Sequence, residues 1–329
     1  MLRQTLIPLS QRNEWDAHLE LLPHAPAHLW SYNHAMSLSS GLETYLYAAS
    51  SLGFVAACPL SIREKCGVKD VMSPYGFGGV MISGYHEHFV SELTRYMDAN
   101  GYCCGYINVH PMALSSFKLS ESELNQAKKI YFLDIAQPWE RLEQGLHKAT
   151  RYELKKWKEM CFNVVDDKER LFSAFCNLYC QTLTRVNASA VYHFDLESIR
   201  EIVMDVSAVM LGVENESKEI EAVSVFICAG EYADYQFNAA SLIGRQHTRG
   251  LIWCAIAYLK KRSVRYLNLG GGMKSGDSLS KFKQSFGGTE HCFVGLKHIY
   301  KQTLFDSLCR ELCVSTFDLS AYFPPYHKV

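Results

Sequence analysis

The same succession of patterns runs through the chain twice, and that repetition limits the fold more than any other feature of its 329 residues. In the first half, stretches 44–49, 53–62 and 69–73 read as strands, the first two as a hairpin pair. The turn-rich run Pro74-Tyr75-Gly76-Phe77-Gly78-Gly79 follows. Residues 85–99 then place Phe89, Leu93 and Met97 four apart, one stripe of a helix. A strand pattern returns at 106–109. The second half repeats the order. Strands are predicted over 209–213, 221–229 and 232–239, then a polar loop over 241–249 and an apolar helix over 250–261. A strand over 264–269 ends in Gly270-Gly271-Gly272. Two antiparallel strand pairs, each followed by loop, helix and strand, point to one α/β unit built twice. The copies share order rather than sequence.

The join between the copies falls around 137–148, where Pro138 breaks a strand pattern and a charged helix follows. The chain is longer than one compact domain usually is. The expected division is therefore 1–146 and 147–329. No Pro- or Ser-rich linker separates the halves.

Apolar residues make up 48% of the chain and charged residues 20%, ordinary for a globular enzyme. The formal net charge is −1, so no global basic field marks a DNA partner, and any anion must be held by a local patch. No apolar run approaches the roughly 18–20 residues of a membrane span. The first residues lack the apolar core of a signal peptide. The expectation is a cytoplasmic protein of unspecified oligomeric state. Twelve cysteines without a CxxC pair read as reduced, buried thiols. His86-Glu87-His88 is the nearest thing to a metal motif, but on a helix these side chains diverge, and no metal site is expected.

Five segments carry residues suited to chemistry. Lys148, Arg151, Lys155 and Lys158 follow steps of three and four on the helix 147–160. Such a face suits phosphates, and it equally suits plain solvation. A helix ending at Arg185 leads through small residues to Tyr192 and Phe194. In 232–239, strict alternation puts Tyr232, Asp234, Gln236 and Asn238 on one face and Tyr235 and Phe237 on the other. The polar face would bind a polar acceptor, and an exposed edge strand would show the same pattern. The loop carrying Arg249 and Gly250 precedes a helix whose first amides favour a phosphate. Last, Gly270-Gly271-Gly272 allows close backbone approach, and Phe282-Lys283 follows on a short helix begun at Asp277. A lysine there is placed to neutralise an oxyanion or a carboxylate.

Three stretches carry a resemblance: Ser73 to Gly79, the Tyr179…Thr182…Arg185…Ala188…Tyr192…Phe194 stretch, and Asn268-Leu269-Gly270-Gly271-Gly272 with Phe282-Lys283. Together they resemble the FemABX-type peptidoglycan bridge-forming aminoacyltransferases and their shorter GNAT-type acyltransferase relatives. The landmarks run from about residue 73 to 288. The resemblance implies an α/β (α+β) fold of two tandem GNAT-like domains, each a mixed, mostly antiparallel sheet flanked by helices. The second domain would carry most of the active cleft. The coiled-coil arm of several members has no counterpart here, since no long heptad stretch occurs. The GNAT loop for the CoA pyrophosphate, Q/R-x-x-G-x-G/A, finds its nearest register at His247, Gly250 and Ile252, departing from it at the first and last positions.

The function so implied is an acyltransferase moving an acyl or aminoacyl group from acyl-CoA or aminoacyl-tRNA to an amine. The acceptor would be a sugar, a peptide or a cell-envelope precursor, and no tightly bound cofactor is called for. Lys283 would stabilise charge, and Asp234 or Tyr235 would take the amine proton. Tyr75, Phe77, Arg185, Tyr192, Asn238, Gly271, Gly272 and Phe282 would contact substrate. Lys148, Arg151, Lys155, Arg249 and Gly250 would hold donor or acceptor phosphates. The alternative is a GNAT-like binding or scaffold protein without transferase chemistry.

Overall fold

The computed structural model describes residues 2–118, 121, 127–272, 276–315 and 322–328. The chain divides into two compact units, Met1–Lys128 with Cys292–Val329, and Lys129–His291. The sequence division at 146/147 differs from this at both ends. Unit membership is set by strand pairing, and the pairing of residues 294–299 with 104–109 returns the C-terminal segment to the first unit.

The first unit is built on strands β1 (Arg3–Pro8), β2 (Thr44–Ser51), β3 (Phe54–Lys65), β4 (Val68–Met72), β5 (Met81–Gly84) and β6 (Cys104–Val109). They are joined by Thr289–Ile299, which is β13 in chain order. The order is β1-β2-β3-β4-β6-β13, with β5 also on β3. β3 is long enough to pair β4 through residues 61–65 and β5 through 54–57. Among the described strands of this unit only β4 and β6 pair in parallel, and the chain between them passes through β5 and helix α3 (Phe89–Ala99). Its stripe Phe89, Leu93 and Met97 is buried, as the spacing predicts. Helices α1 (Arg12–Leu19) and α2 (Trp30–Ser40) complete this unit's early part.

The second unit holds β7 (Lys128–Asp134), β8 (Asn163–Val165), β9 (Ala208–Glu214), β10 (Ile220–Ala229), β11 (Tyr232–Ala240) and β12 (Tyr266–Gly271), in the order β7-β12-β11-β10-β9-β8. Again one pair is parallel, β11 with β12, and the rest are antiparallel. Helices are α4 (Trp139–Gly145), α5 (Lys148–Glu159), α6 (Lys168–Arg185), α7 (Leu196–Met204), α8 (Thr248–Lys261) and α9 (Ser278–Gln284). Asp167, Asp195 and Asp277 start α6, α7 and α9 by accepting a hydrogen bond from the third backbone amide beyond them. α8 buries Leu251, Ile252, Ala255, Ile256 and Leu259 in one cluster with Val209, Leu211, Phe226, Ala233, Tyr235, Leu267 and Leu269. A residue of this kind gains about 1.5–3 kcal/mol on burial, so this face anchors the unit.

The twofold order read from the sequence is present: β2-β3-β4-α3-β6 and β9-β10-β11-α8-β12. The fold is α/β, with mixed, mostly antiparallel sheets flanked by helices. The cysteines depart from the expectation of buried thiols. Only Cys58, Cys103, Cys104 and Cys309 are buried, while Cys66, Cys161, Cys180 and Cys313 are exposed. Among the described residues no helix is long and apolar enough to cross a membrane.

Candidate functional site

Strict alternation fails inside β11. Val225 pairs Phe237 and Phe226 pairs Tyr235, so Gln236 is an extra residue, a β-bulge. Every side chain after it changes face. Tyr235 and Ala240 therefore belong to the cluster under α8, whereas Phe237 packs against Phe175 and Tyr179 of α6. Asn238 lies with Tyr235, accepting a hydrogen bond at 3.0 Å from Ser224 Oγ. This corrects the expected grouping of Asp234 with Asn238 and of Tyr235 with Phe237.

Lys283 sits on the Tyr235 side. α9 delivers its stem into the core, and the residue is only 7% exposed. The Nζ donates to the backbone oxygen of Leu269 and lies 4.6 Å from the centre of the Tyr235 ring. Ring and carbonyl offer partial negative charge but no counter-ion. Burial accordingly lowers the Lys283 ammonium from its ordinary 10.5 to about 7. Burial also raises the Tyr235 hydroxyl above its ordinary 10, which makes it a poor proton acceptor near neutrality.

Asp234 occupies the opposite face of β11. It is 2% exposed, and its Oδ1 accepts from Asn268 Nδ2 at 2.9 Å. Oδ2 has no hydrogen-bond partner. Burial pushes its carboxyl up from 3.8 to about 7, against the Asn268 hydrogen bond. The three residues given catalytic roles from the sequence are thus divided: Lys283 and Tyr235 meet, and Asp234 faces away. Asn268 has no role of its own in the sequence reading beyond its place in the glycine motif. Its signal was available, a lone amide in the apolar run Leu267-Asn268-Leu269 beside a strand with one buried acid.

The glycine turn is tightly confined. Gly270 has φ 71°, in the left-handed region. A side chain at Gly271 would strike the Lys129 carbonyl, and one at Gly272 the Asp277 carboxylate. Phe282 lies beside Lys283 on α9, with the Arg249 guanidinium 4.9 Å above its ring. Arg249 also pairs with Glu153 at 2.8 Å.

Most of the residues expected to hold phosphates have partners within the protein. Arg151 spends its donors on the carbonyls of Glu143, Gln144 and Leu146, closing the end of α4. Lys155 is exposed and 4.0 Å from Glu159, Lys158 pairs Glu143 at 2.9 Å, and Lys148 is exposed. Arg151, Lys155 and Lys158 do line one small cavity of about 230 Å³ with Glu143, Leu146, Leu154 and Trp253. Gly250 is a packing glycine, since a side chain there would enter the Trp157 ring of α5. A 3-10 turn at Gly244–His247 feeds α8, and the Thr248 amide bonds Arg245 O, so the helix start is not a row of free amides. Beneath it, Trp157 Nε1 donates to His247 Nδ1 at 3.1 Å, and Nε2 of the same ring meets Glu221 at 3.0 Å. An indole N–H only donates, so the histidine proton belongs on Nε2.

The remaining candidates lie elsewhere. Arg185 Nη1 donates to Ala240 O at 3.1 Å, and Tyr192 O accepts from Tyr179 at 2.7 Å, so both secure the end of α6. Tyr75 and Phe77 belong to the first unit. There Tyr32 donates to Tyr75 O at 3.2 Å, and Phe77 meets Phe293 edge-on at 5.7 Å.

No family model matches the chain, and no curated protein matches it. Solved structures do. The chain is similar to FemX, with 13% identity over 93% of this chain and 99% of that one, at TM-score 0.67. It is similar to a conserved protein of unknown function from Bacteroides thetaiotaomicron, with 12% identity, 91% and 100% covered, and TM-score 0.60. It is also similar to L-PGS from Bacillus licheniformis, with 11% identity, 88% and 92% covered, and TM-score 0.56. At these identities the likeness is one of fold, and the FemABX resemblance read from the sequence holds at that level.

Proposed function

We propose that this protein transfers an acyl or aminoacyl group from an activated donor to an amine, with Lys283 as the charge-stabilising group. The observation that carries the reading is the Lys283 ammonium itself: buried, without a carboxylate partner among the described residues, and lowered to about 7. Burying such a group costs free energy, and sites of this kind cluster where chemistry is done. The fold shared with FemX and L-PGS supports it.

In this reading the amine nitrogen attacks the donor carbonyl carbon. A C–N bond forms while the carbonyl electron pair moves to oxygen. The oxyanion then collapses, the C–S bond of a thioester or the C–O bond of an ester breaks, and the amine proton ends on the leaving group. Donor activation supplies the driving force, so the protein positions the reactants and offsets the developing charge. The Lys283 cation supplies that charge, held by the Tyr235 face and the Leu269 carbonyl. Phe282, Gly271, Gly272 and Asn238 are the nearby groups we assign to substrate, with the reacting groups in the second half of the chain. Acyl-CoA and aminoacyl-tRNA remain the two donor classes, both intracellular. An amino sugar, a peptide or an envelope precursor supplies the amine.

Calorimetry with acetyl-CoA, longer acyl-CoAs and free CoA is the first test. Saturable binding of the acyl-CoAs directs the donor assignment to thioesters. Absence of binding directs it to aminoacyl-tRNA, to be followed by transfer from charged tRNA to small amines. With either donor, Lys283→Met lowers turnover more than about tenfold, about 1.4 kcal/mol. A smaller loss removes Lys283 from the chemistry, and no transfer with either donor favours a binding module.

A further inference from the structure

Asp234 has a place in the site that its position on the far face of β11 at first conceals. Asp234 and Asn268 are register partners in the parallel pair β11–β12. The Asp234 carboxylate only accepts, so it draws the Asn268 NH2 toward itself, at 2.9 Å from Nδ2. That fixes which way the amide points, and Asn268 Oδ1 is left to accept from Gly270 N at 2.8 Å. The Gly270 amide needs this acceptor. The pairing of β12 with β7 runs regularly to Asn268–Phe132 and resumes, shifted, at Gly271–Ile130. Leu269 and Gly270 fall in the break. An unpaired, buried backbone N–H or C=O costs about 1–3 kcal/mol. Here the Gly270 N–H is met by Asn268 and the Leu269 C=O by Lys283. A single peptide unit thus joins the two: its N–H side is held from one face of the sheet, and its C=O side holds the lysine on the other.

We propose that Asp234 is a positioning residue, which orients Asn268 and through it the Leu269–Gly270 peptide that holds the Lys283 ammonium. What Asp234 supplies here is the acceptor at Oδ1 and not its charge. Oδ2 is buried without a partner, and burial acts against the ionised form. An amide in its place would satisfy Asn268 equally well and carry no charge. Only the bearing of this arrangement on acyl transfer rests on the proposed function, because the positioning is read without substrate.

The test follows Lys283 directly. With lysine labelled at Cε by carbon-13, one resonance titrates near 7 in the intact protein and is missing from Lys283→Met. Asp234→Asn keeps the acceptor and leaves that titration in place. Asp234→Leu removes it, and Asn268→Ala removes the link itself. In both, the break in the β12–β7 pairing relaxes, water reaches the ammonium, and its midpoint rises on the order of one pH unit or more. A midpoint unchanged in the Leu and Ala variants overturns the proposal. So does an Asp234→Asn midpoint that moves as far as the Leu one, since the charge rather than the hydrogen bond would then matter. If neither disruptive variant folds, the milder Asp234→Ala is read in the same way: its midpoint rises, and one that stays overturns the proposal. A protein that titrates as expected yet transfers no acyl group retires the proposed reaction and leaves the positioning standing.

Discussion

Among the described residues each unit buries one aspartate, and the two are treated in opposite ways. In the first unit, Asp70 is a cross-strand partner of Arg63 in the β3–β4 hairpin. Its Oδ1 accepts from Arg63 Nε at 2.8 Å and from Nη2 at 2.5 Å. Its Oδ2 accepts from the Tyr326 hydroxyl at 3.2 Å and meets His327 Nε2 at 2.7 Å. Both oxygens are satisfied and the charge is matched, while Arg63 reaches on to Tyr322 at 3.3 Å. In the second unit, Asp234 has a single partner, an amide, and Lys283 is held by a carbonyl and a ring. The first arrangement ties residues of the C-terminal segment to a hairpin. The second leaves two charges unmatched, with midpoints brought to about 7. Satisfied burial makes architecture; unsatisfied burial keeps groups ready to exchange protons.

The comparison breaks first, and most visibly, at Asp70. Asp70→Ala leaves the Arg63 guanidinium buried without its acid, and denaturant unfolding should show a loss of about 3–5 kcal/mol. A loss under about 1 kcal/mol would put Asp70 in the same class as Asp234. The opposite sign is expected for the other carboxylate. Asp234→Asn should raise unfolding free energy at pH 8 by about 1–3 kcal/mol, because it removes an unmatched charge and keeps the acceptor. Destabilisation there would mean that the ionised carboxylate is needed for folding.

The pH dependence sharpens the contrast. Asp234 binds its proton more tightly folded than unfolded, so its contribution is present below 3.8 and is lost as pH rises to about 7. Lys283 holds its proton less tightly when folded, so stability recovers as pH rises from about 7 toward 10.5. The two slopes meet near neutrality. Unfolding free energies at pH 5, 7 and 9 should show the acidic slope flattened in Asp234→Asn and the alkaline one in Lys283→Met, each by about 1–2 kcal/mol. Profiles parallel to the parent protein would remove both groups from the titration. The smallest effect concerns Tyr326→Phe, which takes one of the four bonds from Asp70 and should cost about 1 kcal/mol by thermal or chemical unfolding.

Much of the fold was legible because it is written locally. The stripe Phe89, Leu93, Met97 and the short, largely apolar runs of β2, β3, β9 and β10 need no distant partner to be recognised. β1, β5, β8 and β13 were not read, β7 only as a strand pattern ended by Pro138, and the unit boundary moved with them. β13 carries mixed side chains, and its membership depends on pairing with residues nearly two hundred positions earlier. Lys283 was legible from a glycine turn followed by Phe282-Lys283. The use made of Arg151 was not, because it depends on where α4 ends. Asn268 was passed over because an amide in a strand has no meaning until its register partner is known.

The extra residue at Gln236 has a consequence for how this strand can vary. It acts as a stacking fault: on one side odd-numbered side chains face α8, and on the other side even-numbered ones do. Deleting Gln236 would heal the fault with every pairing kept, so Phe237 would stay against α6 and Tyr235 and its neighbours would be untouched. A one-residue change of length elsewhere in β11 would invert a whole segment. This strand can therefore lose a residue at one place only without exchanging the layers that its two halves serve, and the lysine beside its first half stays where it is.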